Sequence, residues 1–206
     1  NCVDANWNLV SDITQEMQVT TSDANDTEPS SAFLVGGTKA FNITYKTIGN
    51  WTITVDDIDL DAPTYTSYVH SGITVATGPA VKLQLLVPGE TAAQGTSSGK
   101  VGTVTDRVAG VSFNVTVNCV DADWNRVTSG ANPQVGITTS DGNAILPSPQ
   151  SLSAGTKTFA VTYKTGTGSG WTITASDTDG TSPSYNASTS PLMNVVPNTA
   201  VKLQLL

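Results

Sequence analysis

The chain repeats itself, and that constrains its fold more than any other feature. NCVDANWNLV at 1–10 returns as NCVDADWNRV at 118–127, TTSD at 20–23 returns at 138–141, and TYKT at 44–47 returns at 162–165. WTIT at 51–54 returns at 171–174, and AVKLQLL at 80–86 returns at 200–206. The offset grows from 117 to 118 to 120. One extra residue lies between the NCVDA motif and TTSD, and two more lie where TIGNW becomes TGTGSGW. Connections absorb such insertions while the flanking strands keep their register. Close to half of the aligned residues are identical, so the folding unit is a module of about 120 residues in tandem.

Within a module the apolar pattern has period two. Phe113, Val115, Val117 and Cys119 share one face, and Asn114, Thr116 and Asn118 share the other, as in a half-buried antiparallel strand. Phe159, Val161 and Tyr163 alternate in the same way with Ala160, Thr162 and Lys164, and Trp171, Ile173 and Ala175 form the next run. The GTGSG between these two runs predicts a tight hairpin. Serine and threonine make up roughly a quarter of the chain, and threonine favours strands. No segment keeps a helical period over three turns. Short strands at regular spacing predict an all-β sandwich, with Trp51 and Trp171 filling its core.

The order VTVNCVDADWNRV, VGITTSD, LSAGTKTFAVTYKTGTGSGWTITASDTDG, VVPNTAVKLQLL resembles the bacterial Ig-like repeats of the invasin and intimin type. The match runs through both copies. It departs from the family pattern at Asn198, where V-x-P is followed by glycine, and at Trp7 and Trp124, which stand where the turn has glycine. The polar insert at 89–102 is a third departure, expected to be floppy unless it packs on a neighbour. The resemblance implies tandem Ig-like β-sandwiches of about seven strands, with AVKLQLL as the first strand of a module. The expected domains are then 1–79, lacking its first strands, 80–199, complete, and 200–206. This last segment would be the first strand of a following module or a donor strand for a neighbouring copy.

Several functions are disfavoured by composition. A net charge of −8 repels a phosphate backbone, so no nucleic-acid partner is expected. No apolar run reaches the length of a membrane-spanning helix. His70 is the sole histidine, and it aligns with Ser190, so it is read as a surface or edge residue. None of the nucleotide-binding, zinc-protease or hydrolase motifs is present. A non-enzymatic protein is therefore expected.

Candidate sites remain. Asp4, Asn6 and Asn8, and again Asp121, Asp123 and Asn125, place oxygen side chains at alternate positions, as calcium loops begin. In an Ig-like topology Asp57, Asp59 and Asp61, and Asp177 and Asp179, lie at the same end and would complete Ca²⁺ sites. The competing reading is that these side chains cap turns through backbone hydrogen bonds. Cys2 and Cys119 occupy equivalent inward positions and read as buried thiols or as links between subunits. Trp7 and Trp124 sit in polar turns, where they would pack between modules, pack within one, or stack on a sugar. Five N-x-[ST] sequons, at Asn25, Asn42, Asn50, Asn114 and Asn186, are about as many as this composition gives by chance.

An uncovered sheet edge invites another strand. Ala200, Val201, Leu203 and Leu205, with Trp7 and Trp124, are thus the assembly residues, and copies of this chain joined head to tail are the expected partner. The alternative is that 1–206 is an excerpt of a longer tandem-repeat polypeptide. The functional expectation is an extracellular or cell-surface filament, stalk or fibre of bacterial Ig-like modules, joined by donor-strand exchange if the chain is a complete subunit. An adhesin or glycan-binding module is the rival, with a glycan or cell-surface ligand. A linker of a secreted enzyme is a third reading.

Overall fold

The computed structural model describes residues 1–59 and 61–205, and among these there is no helix. Two compact units divide between Ala76 and Thr77, where the repeat placed the boundary at 79/80. Unit 1 carries β1 (Glu16–Thr21), β2 (Ala32–Phe33), β3 (Gly49–Asp57) and β4 (Tyr68–Val75). These form one antiparallel sheet in the order β2-β1-β3-β4. His70 lies exposed on the edge strand β4.

Unit 2 carries β5 (Lys82–Leu86), β6 (Glu90–Ala92), β7 (Lys100–Gly102), β8 (Arg107–Val108), β9 (Phe113–Val120) and β10 (Gln134–Thr139). It continues with β11 (Gln150–Ser151), β12 (Thr156–Val161), β13 (Thr167–Trp171), β14 (Ile173–Asp177), β15 (Ser188–Thr189) and β16 (Met193–Val196). One sheet is β11-β10-β14-β15, facing the three-stranded sheet β12-β9-β5, with β13-β16-β8 beside it. This is the expected all-β, Ig-like sandwich. It has more and shorter strands than the seven expected, because the 89–102 insert adds a hairpin and the last strand is split. Pro191 lacks an N–H to continue the ladder, so β15 pairs with β14 while β16 pairs with β13 and, in parallel, with β8.

The matched sheets repeat residue for residue. Met17 pairs with Asp57 and Thr21 with Ile53, and the aligned Val135 pairs with Asp177 and Thr139 with Ile173. The period-two reading holds along β9, whose Val115, Val117 and Cys119 are buried against Leu83, Leu85, Ile137, Phe159 and Ile173. Asn118, expected to face solvent, is buried instead. Its amide donates to Gln84 Oε1 at 2.8 Å and its carbonyl oxygen accepts from Thr156 Oγ1 at 2.7 Å. The hairpin β6–β7 covers this polar row, with Gln84 Nε2 donating to the Gly99 carbonyl at 2.6 Å. The insert is therefore ordered on its own unit, closed by a Lys100–Glu90 ion pair at 2.9 Å.

Trp51 and Trp171 do not fill the core. Both are half-buried, and their indole N–H groups donate to the carbonyls of Thr47 at 2.7 Å and Thr165 at 2.8 Å. An indole needs a partner for its N–H when buried, and the hairpin carbonyls hold it at the core's margin. Tyr163 and Phe159 are the largest fully buried side chains. Phe159→Ala removes a ring from the centre of this packing and is expected to cost about 3–5 kcal/mol. Amide exchange of β9 and β12 through a urea series measures it.

Candidate functional site

The two copies of the polar turn fold alike. Asp4 Oδ1 accepts the N–H of Asn6 at 2.8 Å and of Asn8 at 2.9 Å, and Asn8 Nδ2 donates to Oδ2 at 3.0 Å. These donors, the Asn8 side chain foremost, hold the Asp4 carboxyl below the usual range. Asp121 Oδ1 likewise accepts from Asp123 and Asn125 at 2.9 Å each, while its Oδ2 accepts from Gly78 N–H at 2.9 Å. Trp7 and Trp124 have φ of 65° and 67°, in the left-handed region that favours glycine. That conformation costs an L-residue roughly 1–2 kcal/mol, which the packing of the ring must offset.

The other acidic residues also serve the backbone. Asp57 Oδ2 accepts from Tyr65 N–H at 3.0 Å, and Asp59 accepts from Glu16 N–H at 2.8 Å and Asp61 N–H at 3.1 Å. Asp177 accepts from Tyr185 N–H at 3.2 Å, and Asp179 from Gln134 N–H at 3.1 Å and Thr181 N–H at 2.8 Å. Among the described residues no three or more His, Cys, Asp or Glu side chains gather where one ion could be held. Of the expected calcium ligands, Asp4, Asp57, Asp59, Asp121, Asp177 and Asp179 thus accept backbone N–H groups.

Asp23 and Asp141 were not singled out from the sequence, although TTSD repeats around both. Each is buried. Asp141 Oδ2 accepts from Lys164 N–H at 2.8 Å and Thr165 N–H at 3.1 Å, and Oδ1 from Asn143 N–H at 3.0 Å. Burial pushes this carboxyl up, but the backbone donors of Lys164, Asn143 and Thr165 outweigh it and hold it below its ordinary value. A depressed pKa contributes stability that is present above the unfolded value near 3.8 and is lost as pH falls through the folded one. Asp141→Asn keeps one acceptor oxygen and leaves N–H groups unpaired, at about 1–3 kcal/mol each. Its deficit in urea stability is expected to be largest at neutral pH and to shrink below pH 3.8.

The units differ at the strand that closes the sandwich. In unit 2, β5 pairs with β9, Leu83 opposite Cys119 and Leu85 opposite Val117. Its other edge meets the segment before β15, where Leu83 N–H donates to the Asn186 carbonyl at 2.8 Å. Lys82 Nζ lies 3.5 Å from the centre of the Trp124 ring and donates to the Ala122 carbonyl at 2.7 Å. Burial lowers the Lys82 pKa, against the opposing pull of Asp121 and Asp123. Gly99, at φ +73°, lies on the same ring, and a Cβ there would come within 2.1 Å of it. Trp124 therefore packs within its own unit, between Lys82 and Gly99.

Unit 1 has the counterpart of the sheet β11-β10-β14-β15, and of β9 only residues 1–3. Cys2, Met17, Leu34, Phe41, Val55 and Tyr65 line an open cavity of about 840 Å³. Residues 39–43, the counterparts of most of β12, lie outside any strand. Trp7 is 72% exposed and touches Tyr68 edge-on, with ring centres 6.0 Å apart. Ala200, Val201, Leu203 and Leu205 belong to no strand, and the last two are fully exposed. Leu206 lies outside the described residues.

Cys2 and Cys119 are both unbridged and buried. Burial foremost, with Asp177 adding, pushes the Cys119 thiol up to about 11, so about a thousandth of it is thiolate at pH 8. Cys119 is expected to resist a thiol reagent at pH 8 in native buffer and to react at once in denaturant, as mass spectrometry of the labelled peptides would register.

No family model matches the chain, and no curated protein sequence matches it. Among solved structures it is similar to β-glucuronidase 3 of Bacteroides uniformis, with 11% identity, 88% of this chain and 21% of that chain covered, and a TM-score of 0.39. A β-glucuronidase of Parabacteroides merdae gives 11%, 88%, 21% and 0.38. The D0-D1 domain of intimin gives 14% identity, 94% and 86% coverage and a TM-score of 0.36. This chain spans about a fifth of the β-glucuronidases. At TM-scores below 0.5 these likenesses carry no argument about this chain.

Proposed function

We propose that the protein is a non-enzymatic structural component of an extracellular or cell-surface fibre, built of Ig-like modules set end to end. The observation that carries this reading is the repetition itself. The same β1–β3 and β10–β14 register and the same Asp-capped turn recur in both units. A specialised binding site is seldom needed in every link, whereas a scaffold needs the same joint each time. A threonine-rich, weakly charged and acidic surface keeps such a rod hydrated and limits adhesion between rods. Electron microscopy of the purified full chain over a concentration series is expected to show fibres of constant width. Monomers at every concentration would overturn the reading, and oligosaccharide binding by those monomers would favour the adhesin instead.

A further inference from the structure

We propose that the buried carboxylate of Asp121 fastens the incoming chain to unit 2 at Gly78, which shortens the tether between the two units to Ala76 and Thr77. The inference rests on the fibre reading for its use, since a rod of modules bends at its tethers, and it makes Asp121 the positioning residue of that joint. Val75 is the last residue of β4 paired with β3, and Gly78 N–H donates to Asp121 Oδ2 at 2.9 Å. Beyond Gly78 the next backbone hold among the described residues is at Val81. Its N–H donates to the Val120 carbonyl at 2.9 Å, and its carbonyl accepts from Asn186 N–H at 3.1 Å. Without the Asp121 bond the tether between backbone holds would lengthen from 76–77 to 76–80.

The two partners differ in burial, and that gives the bond its weight. Asp121 is 3% exposed, whereas Ala76, Gly78 and Pro79 lie exposed, so apolar packing holds little of this stretch. A hydrogen bond to a carboxylate is roughly twice as strong as one between neutral groups. A carboxylate also accepts on both oxygens, and here the two have separate duties. Oδ1 takes the turn's own Asp123 and Asn125 N–H groups, each at 2.9 Å, while Oδ2 takes the incoming chain. The Asn125 side-chain amide, 3.2 Å from Oδ1 and 3.1 Å from Oδ2, steadies the carboxylate between them. Pro79 narrows the backbone choices of Gly78, because the residue before a proline is disfavoured in the helical region.

Asp121→Asn separates the two duties. With its amide oxygen toward the turn, asparagine keeps both backbone bonds of Oδ1 and sets its NH2 against the Gly78 N–H, donor against donor. The reverse orientation loses two backbone bonds to keep one. In amide exchange of the full chain followed by NMR, Gly78 is expected to exchange about tenfold faster or more in this variant, while Val117 of β9 stays within about twofold. Asp123→Asn removes the same charge from the same turn and is expected to leave Gly78 unchanged. No acceleration at Gly78 in Asp121→Asn, equal acceleration in both variants, or Val117 accelerated as much as Gly78 overturns the proposal. The unaltered chain supplies a second measurement: the backbone order parameter of Gly78 is expected to match that of β5 at about 0.85, and one nearer the flexible value of about 0.6 overturns the anchor. Fibres are scored separately on the grid. Their absence with a rigid Gly78 overturns the fibre reading and leaves the anchor, and a mobile Gly78 in chains that still form fibres does the reverse.

Discussion

The burial of Leu83 and Leu85 between two sheets is the interaction on which the sandwich of unit 2 depends. Each leucine contributes about 1.5–3 kcal/mol of transfer free energy. The larger consequence is geometric. With β5 in place, β9 has a partner on each side, since β12 pairs along its other edge, and the facing sheets enclose one continuous core. Among the described residues of unit 1 the buried apolar side chains are Cys2, Met17, Val19 and Leu34, with Ile13, Phe41, Val55 and Tyr65 packed against the cluster of Cys2, Met17 and Leu34. The same side chains that form a core in one unit line a cavity in the other.

What could be read from the sequence was what is local. Alternation fixed the inward face of β9 and β12, and the drift of the repeat placed the insertions in connections. Residues 39–43 and 157–161 have nearly the same pattern, yet only the second set is a strand, because only it has β9 beside it. Strandedness there is a property of the pair, which no window along one segment can contain. The hairpin over Asn118 was equally hidden: a polar residue on the outward face reads as wet until something distant in sequence covers it.

The candidate site was legible in part. Oxygen side chains at alternate positions fit a calcium loop and an Asx-capped turn alike, and the two differ only in where the carboxylate oxygens point. Backbone N–H groups claim those oxygens at Asp4, Asp59, Asp121 and Asp179. The departure at Trp7 and Trp124 was visible as a broken family pattern. Its reason was not, because the Lys82 ammonium that covers Trp124 comes from 42 residues earlier in the chain.

Gln84 gives the closing strand a polarity of its own. It stands between two core leucines and joins Asn118 and Thr156 in a row beneath the hairpin. A slip of one residue would turn every side chain to the other face, burying an amide among valines and stranding the amide of Asn118. A buried polar group left unpaired costs about 1–3 kcal/mol, so the penalty is paid on both sides of the mismatch. KLQLL is thus keyed as well as greasy: apolar residues supply the adhesion, and one glutamine enforces alignment. In a strand whose other inward residues are leucines, that single amide distinguishes the one alignment against β9 from its neighbours.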